Sequence, residues 1–157
     1  MPFYYSSLRV ATSNATANTC TTHMGISAPT LYGLVRVTAV LVNGRNSTAG
    51  GGELRLAYTT GAIAAITGGT AITPSLKRDD FPAAAATVVG DATAIGTQGT
   101  TTEHTSIGWA ETGGQNGWVA LEPDDAFQLR SNRGCLRLNS YAVGVSQALQ
   151  LTLHHAE

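Results

Sequence analysis

Histidines and carboxylates are the residues of this sequence that could support acid–base or metal chemistry. His154 and His155 are adjacent, and Glu103 directly precedes His104. Neighbouring residues on a strand point to opposite faces, so the two histidines cannot both bind one metal ion without a bulge, and Glu103 and His104 are a poor acid–base pair. His23 stands apart in a polar stretch. The sequence therefore predicts a protein that is not an enzyme and that has no metal site and no cofactor.

The glycine-rich and aspartate-rich stretches are typical of turns. Neither Gly50–Gly52 nor Gly113–Gly114 has the spacing of a phosphate-binding loop, and neither opens a predicted helix. Asp79–Asp80 and Asp124–Asp125 could bind Ca²⁺ only with further ligands, and no DxDxDG run supplies them. Turn formation is our interpretation of all these stretches.

Charge is sparse along the whole chain. Of its 157 residues 12% are charged and 43% are hydrophobic, and the formal net charge is -1, whereas about 25% charged residues is usual. The Lys and Arg residues are scattered, which argues against the continuous basic stripe that binds nucleic acid. We expect no membrane span, because no run approaches ~20 apolar residues, and no secretory signal. A neutral, weakly hydrated surface favours a protein that works inside an assembly.

The cysteine content favours a cytosol-like setting. Cys20 and Cys135 lie far apart in the sequence, and neither has a CxxC partner. A chain of this length can build its own core and does not need a disulfide scaffold. Both thiols are therefore expected to be free and partly buried.

Alternating apolar and polar residues predict an all-β protein. Residues 31–43, 53–60 and 148–155 alternate with a period of two. Glycine-rich turns predict that the first two of these segments pair, and that residues 113–117 join two further strands into a hairpin. The inward residues of the first strand are predicted to be Val35, Val37, Ala39 and Leu41.

The number and spacing of these strands favour a single jelly-roll-like β-sandwich over residues 31–157, with an immunoglobulin-like sandwich as the alternative. Residues 1–30 differ from the rest of the chain. An aromatic start is followed by about twenty small polar residues with almost no apolar periodicity. We interpret residues 1–30 as an extended N-terminal arm, with an ordinary loop as the alternative.

Two tryptophans leave a second function open. Trp109 and Trp118 flank the predicted hairpin, and aromatic side chains on a β-sheet surface can stack against sugars. A carbohydrate-binding module, for example of a tail or fibre protein, is therefore an alternative. It requires both aromatic side chains to be exposed on one sheet face.

The segment from Leu54 to Thr87 resembles the jelly-roll cement, or decoration, proteins of tailed bacteriophage capsids and related jelly-roll virion proteins. The shared order is a strand that ends in small residues, a Gly/Thr-rich stretch with Thr-Pro, a short charged loop and an Ala-rich strand. Here these are ELRLAYTTG, GGTAITP, SLKRDDFP and AAAATVV. Gly117-Trp118 and the FQLR strand continue the likeness toward the C-terminal part of the chain.

The resemblance implies a trimer on the outer surface of the capsid, made in the host cytoplasm and bound across neighbouring copies of the major capsid protein. Buried contacts between subunits would then stabilise the shell. The arm and the charged loop are the predicted partner-binding segments, because extended segments and loop tips with an aromatic anchor suit protein interfaces. The predicted contact residues are Phe3, Tyr4, Tyr5, Lys77, Arg78, Asp79, Asp80 and Phe81.

Overall fold

The computed structural model describes residues 1–12, 20–28, 33–44, 51–60, 66–67, 70–80, 82–90, 94–95, 101–110, 114–130, 134–141 and 148–157. Within these ranges the chain forms β-strands and one short 3-10 helix, Pro123–Asp125. No helix in the described part is long and apolar enough to cross a membrane. The strands are β1 (Phe3–Thr12), β2 (Cys20–Ser27), β3 (Leu34–Gly44), β4 (Gly51–Thr60), β5 (Ile66–Thr67), β6 (Thr70–Ala71), β7 (Ser75–Leu76), β8 (Thr87–Gly90), β9 (Ala94–Ile95), β10 (Thr101–Ala110), β11 (Gln115–Val119), β12 (Phe127–Arg130), β13 (Gly134–Tyr141) and β14 (Ala148–Ala156).

Two antiparallel sheets form a sandwich. Sheet A has the order β11-β3-β14-β1-β7, and β12 also pairs with β3. Sheet B has the order β10-β4-β13-β2-β8-β6, and β5 pairs with β9 separately. The chain changes sheet at nearly every long connection, so β1, β3, β11 and β14 lie in one sheet and β2, β4, β10 and β13 in the other. This is the strand order of a jelly roll, and the predicted all-β jelly-roll-like sandwich is confirmed.

The core lies between the two sheets and follows the leucine alternation. In β14 every second residue from Leu149 to Leu153 is fully buried, and Leu54 and Leu56 of β4 face them from the other sheet. Burying one such side chain stabilises the fold by about 1.5–3 kcal/mol before entropy is counted. The inward leucines of β4 and β14 lie where the sequence predicts them.

Strand β3 contains one extra residue, which reverses its alternation. Its pairing with β14 passes from Val37 to Ala39 without a partner for Thr38, as in a β-bulge. Beyond the bulge Val40 is fully buried, whereas Leu41 is only partly buried. The prediction that Leu41 shares the inward face is wrong, because simple alternation cannot reveal a bulge.

The predicted strand pairs do not form. Strands β3 and β4 lie in different sheets, and so do β10 and β11, which flank the predicted hairpin turn. A glycine-rich turn indicates that the chain reverses but not whether it returns to the same sheet. In a jelly roll these turns carry the chain across the top or bottom of the sandwich.

The predicted arm is wrong for its described residues. Strand β1 pairs with β14 on one side and β7 on the other, and β2 lies between β13 and β8. Both strands therefore belong to the same sandwich as residues 31–157. Apolar alternation is weak in both segments, so the sequence pattern did not indicate these strands.

The register of sheet B keeps the two cysteines apart. Cys20 lies opposite Tyr141, whereas Cys135 lies opposite Ser27 at the other end of the same strand pair. At about 3.3 Å per residue this separation is roughly 20 Å, far beyond the ~7 Å limit for a disulfide. Cys135 is buried, as predicted, and the register places it out of disulfide reach of Cys20.

Candidate partner-binding surface

The outer face of sheet A carries exposed aromatic side chains at one end of β1. Alternation along β1 turns Phe3 and Tyr5 outward, and they are 43% and 40% exposed. Both residues were predicted contacts, and both are available to a partner. Large aromatic groups at this level of exposure are the side chains that anchor protein interfaces.

Tyr4, between them, faces the core. It is 1% exposed, its hydroxyl donates a hydrogen bond of 2.8 Å to the carbonyl oxygen of Pro82, and its ring stacks on His155. Tyr4 is therefore a core residue rather than a contact residue, which corrects the prediction. The reason is the period-two geometry of β1, which the arm interpretation did not take into account.

The charged loop that follows β7 lies beside these aromatics. Because β7 pairs with β1, the Lys77 backbone N–H donates to the Phe3 carbonyl oxygen at 3.1 Å. The Lys77 ammonium lies 3.1 Å from Nδ1 of His154 and 6.0 Å from the centroid of the Phe3 ring, at the outer limit of a cation–π contact. Burial, together with the Lys77 charge, lowers the pKa of His154, so its neutral imidazole accepts the ammonium hydrogen bond. The sequence predicted the two contact segments separately, and the fold brings them together.

The rest of the loop is exposed. Arg78 and Asp80 form an ion pair with an N–O distance of 2.7 Å, and their side chains are 66% and 60% exposed. Water screens such a pair, so it contributes little to stability. Asp79 is also exposed. Phe81 lies outside the described residues.

A groove of about 300 Å³ opens on the other side of Phe3. Arg36, Thr38 and Ala156 come from adjacent strands of sheet A and line it, and Leu121, from the loop after β11, lines it too. The Nε atom of Arg36 is buried and has no hydrogen-bond partner among the described residues. The complete lining is Met1, Phe3, Arg36, Thr38, Ala120, Leu121, Glu122, Pro123, Ala126 and Ala156.

The loop after β11 presents an apolar side chain next to three carboxylates. Leu121 is 89% exposed. Glu122, Asp124 and Asp125 are exposed around the short helix, where the backbone N–H of Glu122 donates to a carboxylate oxygen of Asp125 at 3.2 Å. Sequence reasoning missed this loop, since it interpreted Asp124–Asp125 only as a turn. The available signal was a leucine directly before Glu-Pro-Asp-Asp, where no strand continues to bury it.

The two tryptophans do not share a sheet face. Trp109 lies on β10 of sheet B, opposite Gly52, and Trp118 lies on β11 of sheet A, opposite Val40. The Trp118 ring packs against Phe127, with centroids 4.7 Å apart, and against the core. The strands that carry the two residues lie in different sheets, whereas the carbohydrate-binding alternative places both rings on one sheet face.

Two histidines, His23 and His155, are buried in the fold. His23 is 1% exposed, and burial lowers its pKa to about 4. His155 is fully buried and lies 3.2 Å from the Glu157 carboxylate. Among the described residues, no group of three or more His, Cys, Asp and Glu side chains is placed to hold a metal ion.

Comparison with known proteins does not assign the chain to a family. No family model and no curated protein matches it. A solved structure described as "The 2.6A structure of Infectious Bursal Virus Derived T=1 Particles" aligns with 12% identity over 94% of this chain and 39% of that chain, with a TM-score of 0.17. A TM-score this low carries no argument about fold or function.

Proposed function

We propose that this chain is a non-enzymatic virion structural protein, a cement or decoration subunit on the outer surface of a phage head. It binds across neighbouring copies of the major capsid protein and associates with itself, as a trimer. The observation that carries the proposal is the outer face of sheet A, where Phe3 and Tyr5 are exposed on a chain with few charges. The likeness of residues 54–87 to decoration proteins supplies the class of partner.

The mechanism is mechanical. A decoration subunit that buries apolar surface on two or more capsid subunits adds contacts that must break before the shell opens. Many copies on a symmetric lattice turn a modest affinity per site into strong retention. A closed sandwich suits this role because few of its strand edges are free to aggregate.

Binding to shells tests the proposal. The purified chain is mixed with heads assembled from the major capsid protein encoded in the same genome, and in parallel with unassembled capsid protein, and each mixture is sedimented. We expect the chain to sediment with the heads and not to bind the free subunits. Phe3→Ser with Tyr5→Ser should reduce this binding, whereas Arg130→Gln, an exposed change on β12, should not. Failure of the unaltered chain to bind assembled heads would reject the capsid role.

A further inference from the structure

We propose that the groove beside Phe3 is the self-association surface of this protein and that its occupant is the Leu121–Asp125 loop of a second copy. The number of subunits in the proposed trimer does not enter this inference. It rests on the proposed function only for the expectation that the chain associates with itself.

Two features of the groove can take further contacts from the loop of a second copy, beyond those of the chain's own Leu121 and Glu122. Its apolar wall, formed in part by Met1 and Phe3, is open to solvent, with exposures of 56% and 43%. Its floor carries the Arg36 guanidinium, whose buried Nε has no acceptor among the described residues. A buried donor without an acceptor is destabilising, so an occupant that carries a carboxylate is favoured.

The loop matches both requirements within five consecutive residues. Leu121 is 89% exposed and can enter the apolar part of the groove. The acidic residues that follow it are Glu122, Asp124 and Asp125, and no Lys or Arg stands between them or next to them in the sequence. From a second copy these carboxylates can reach Arg36 and also Lys77, which lies beyond Phe3. A carboxylate can accept two hydrogen bonds from one guanidinium, which gives such a contact direction as well as affinity.

Loop and groove adjoin on one face of the molecule, because Leu121 and Glu122 also form a wall of the groove. Each copy can therefore give its loop to one copy and receive a loop, either from that same copy around a two-fold axis or from another copy in a closed ring of three. Both arrangements are closed and symmetric. The same contact would cover the exposed Leu121, whereas Tyr5 does not line the groove and stays available to a capsid subunit.

Sedimentation velocity on the whole purified chain, over a wide range of concentration and without capsid protein, tests the inference. We expect a self-association that Leu121→Ser and Arg36→Gln each weaken by about tenfold or more. Arg130→Gln, an exposed charge elsewhere on sheet A, is the matched control and should leave it unchanged. Thermal unfolding of each variant verifies that the sandwich is intact.

Site-directed cross-linking locates the contact. Phe3→Cys protein is mixed with Leu121→Cys protein and oxidised, and we expect a band at twice the 16.2 kDa of the chain on a non-reducing gel. Arg130→Cys mixed with Leu121→Cys is the control and should give much less. A chain that is monomeric at every concentration overturns the inference, and so does self-association that Leu121→Ser and Arg36→Gln leave intact. The capsid role fails separately, if the chain does not bind heads.

Discussion

The imidazole of His155 stacks on the phenol ring of Tyr4, with ring centroids 5.3 Å apart and planes inclined by 20°. The two residues are direct partners across β1 and β14, and both face the interior. His155 also meets the Glu157 carboxylate, and Tyr4 donates to the Pro82 carbonyl. This end of the sandwich is thus held by a buried polar group of side chains rather than by leucines.

Acid should weaken the fold through its buried histidines. Burial lowers the pKa of His23 from 6.5 to about 4, and burial lowers the pKa of His155 although the Glu157 carboxylate opposes the shift. Between pH 6.5 and about 4 the unfolded chain therefore binds more protons than the folded chain. The free energy of unfolding must fall as the pH falls through this window, by about 3 kcal/mol at its lower end for His23 alone.

Urea unfolding at several pH values between 7 and 4 checks this expectation. His23→Gln and His155→Gln remove a proton acceptor from the unfolded chain, so each should flatten the dependence on pH even where it lowers stability at pH 7. A pH slope that survives unchanged in both variants would assign the effect to other groups.

The Glu157 side chain should stabilise the connection between β7 and β8. Its two carboxylate oxygens accept the backbone N–H groups of Ala85 and Ala86, at 2.7 and 2.9 Å, and the side chain is 14% exposed. Hydrogen bonds to a charged group contribute about 1.5–3 kcal/mol each. We expect Glu157→Ala to lower the free energy of unfolding by about 2–4 kcal/mol and Glu157→Gln by less, since the amide keeps one acceptor.

Glu53→Gln is the matched control for this measurement. The Glu53 carboxylate pairs with the Arg55 guanidinium, but its side chain is 43% exposed. Loss of this ion pair should therefore lower the free energy of unfolding by less than about 1 kcal/mol. Equal effects at Glu53 and Glu157 in urea unfolding would contradict the assigned role of Glu157.

The sequence predicts the buried face of a strand well where strongly apolar residues alternate with polar ones. Leu149, Leu151 and Leu153 are each separated by a polar residue, and all three are fully buried. The same rule missed β1, because its inward residues include Tyr4 and Ser6, which look like surface residues without their neighbours. Residues of this kind are assigned correctly only once the pairing of β1 with β14 is known.

The candidate surface depends on relations that no local pattern contains. Phe3 and Lys77 are far apart in sequence and meet because β7 adds to β1 at the edge of sheet A. Arg36 lies in an ordinary strand, and its significance comes from the loop that lines the same groove. A low content of charged residues could predict that the protein binds a partner, but not which face of the sandwich does so.

Cys135 should be protected from thiol reagents in the folded state. It is 2% exposed on β13, and the register of sheet B places it too far from Cys20 for a disulfide. In a Cys20→Ser variant the remaining thiol should react with an aromatic disulfide reagent only after unfolding in guanidinium. Rapid reaction of the folded variant, or an intramolecular disulfide in the unaltered chain, would contradict this placement.

Two exposed glycines on facing edge strands should respond differently to the same substitution. A Cβ at Gly117 of β11 would lie 2.7 Å from the carbonyl oxygen of Val40 and 2.6 Å from Cδ2 of Leu41, whereas a Cβ at Gly108 of β10 has nothing within 4 Å. The Val40 oxygen belongs to the backbone of a central strand and cannot move cheaply. Gly117→Ala should therefore cost about 1–3 kcal/mol, and Gly108→Ala should change stability by no more than about 0.5 kcal/mol. Urea unfolding of the two variants side by side measures the difference, and equal stabilities would show that β11 does not pack against β3 as described.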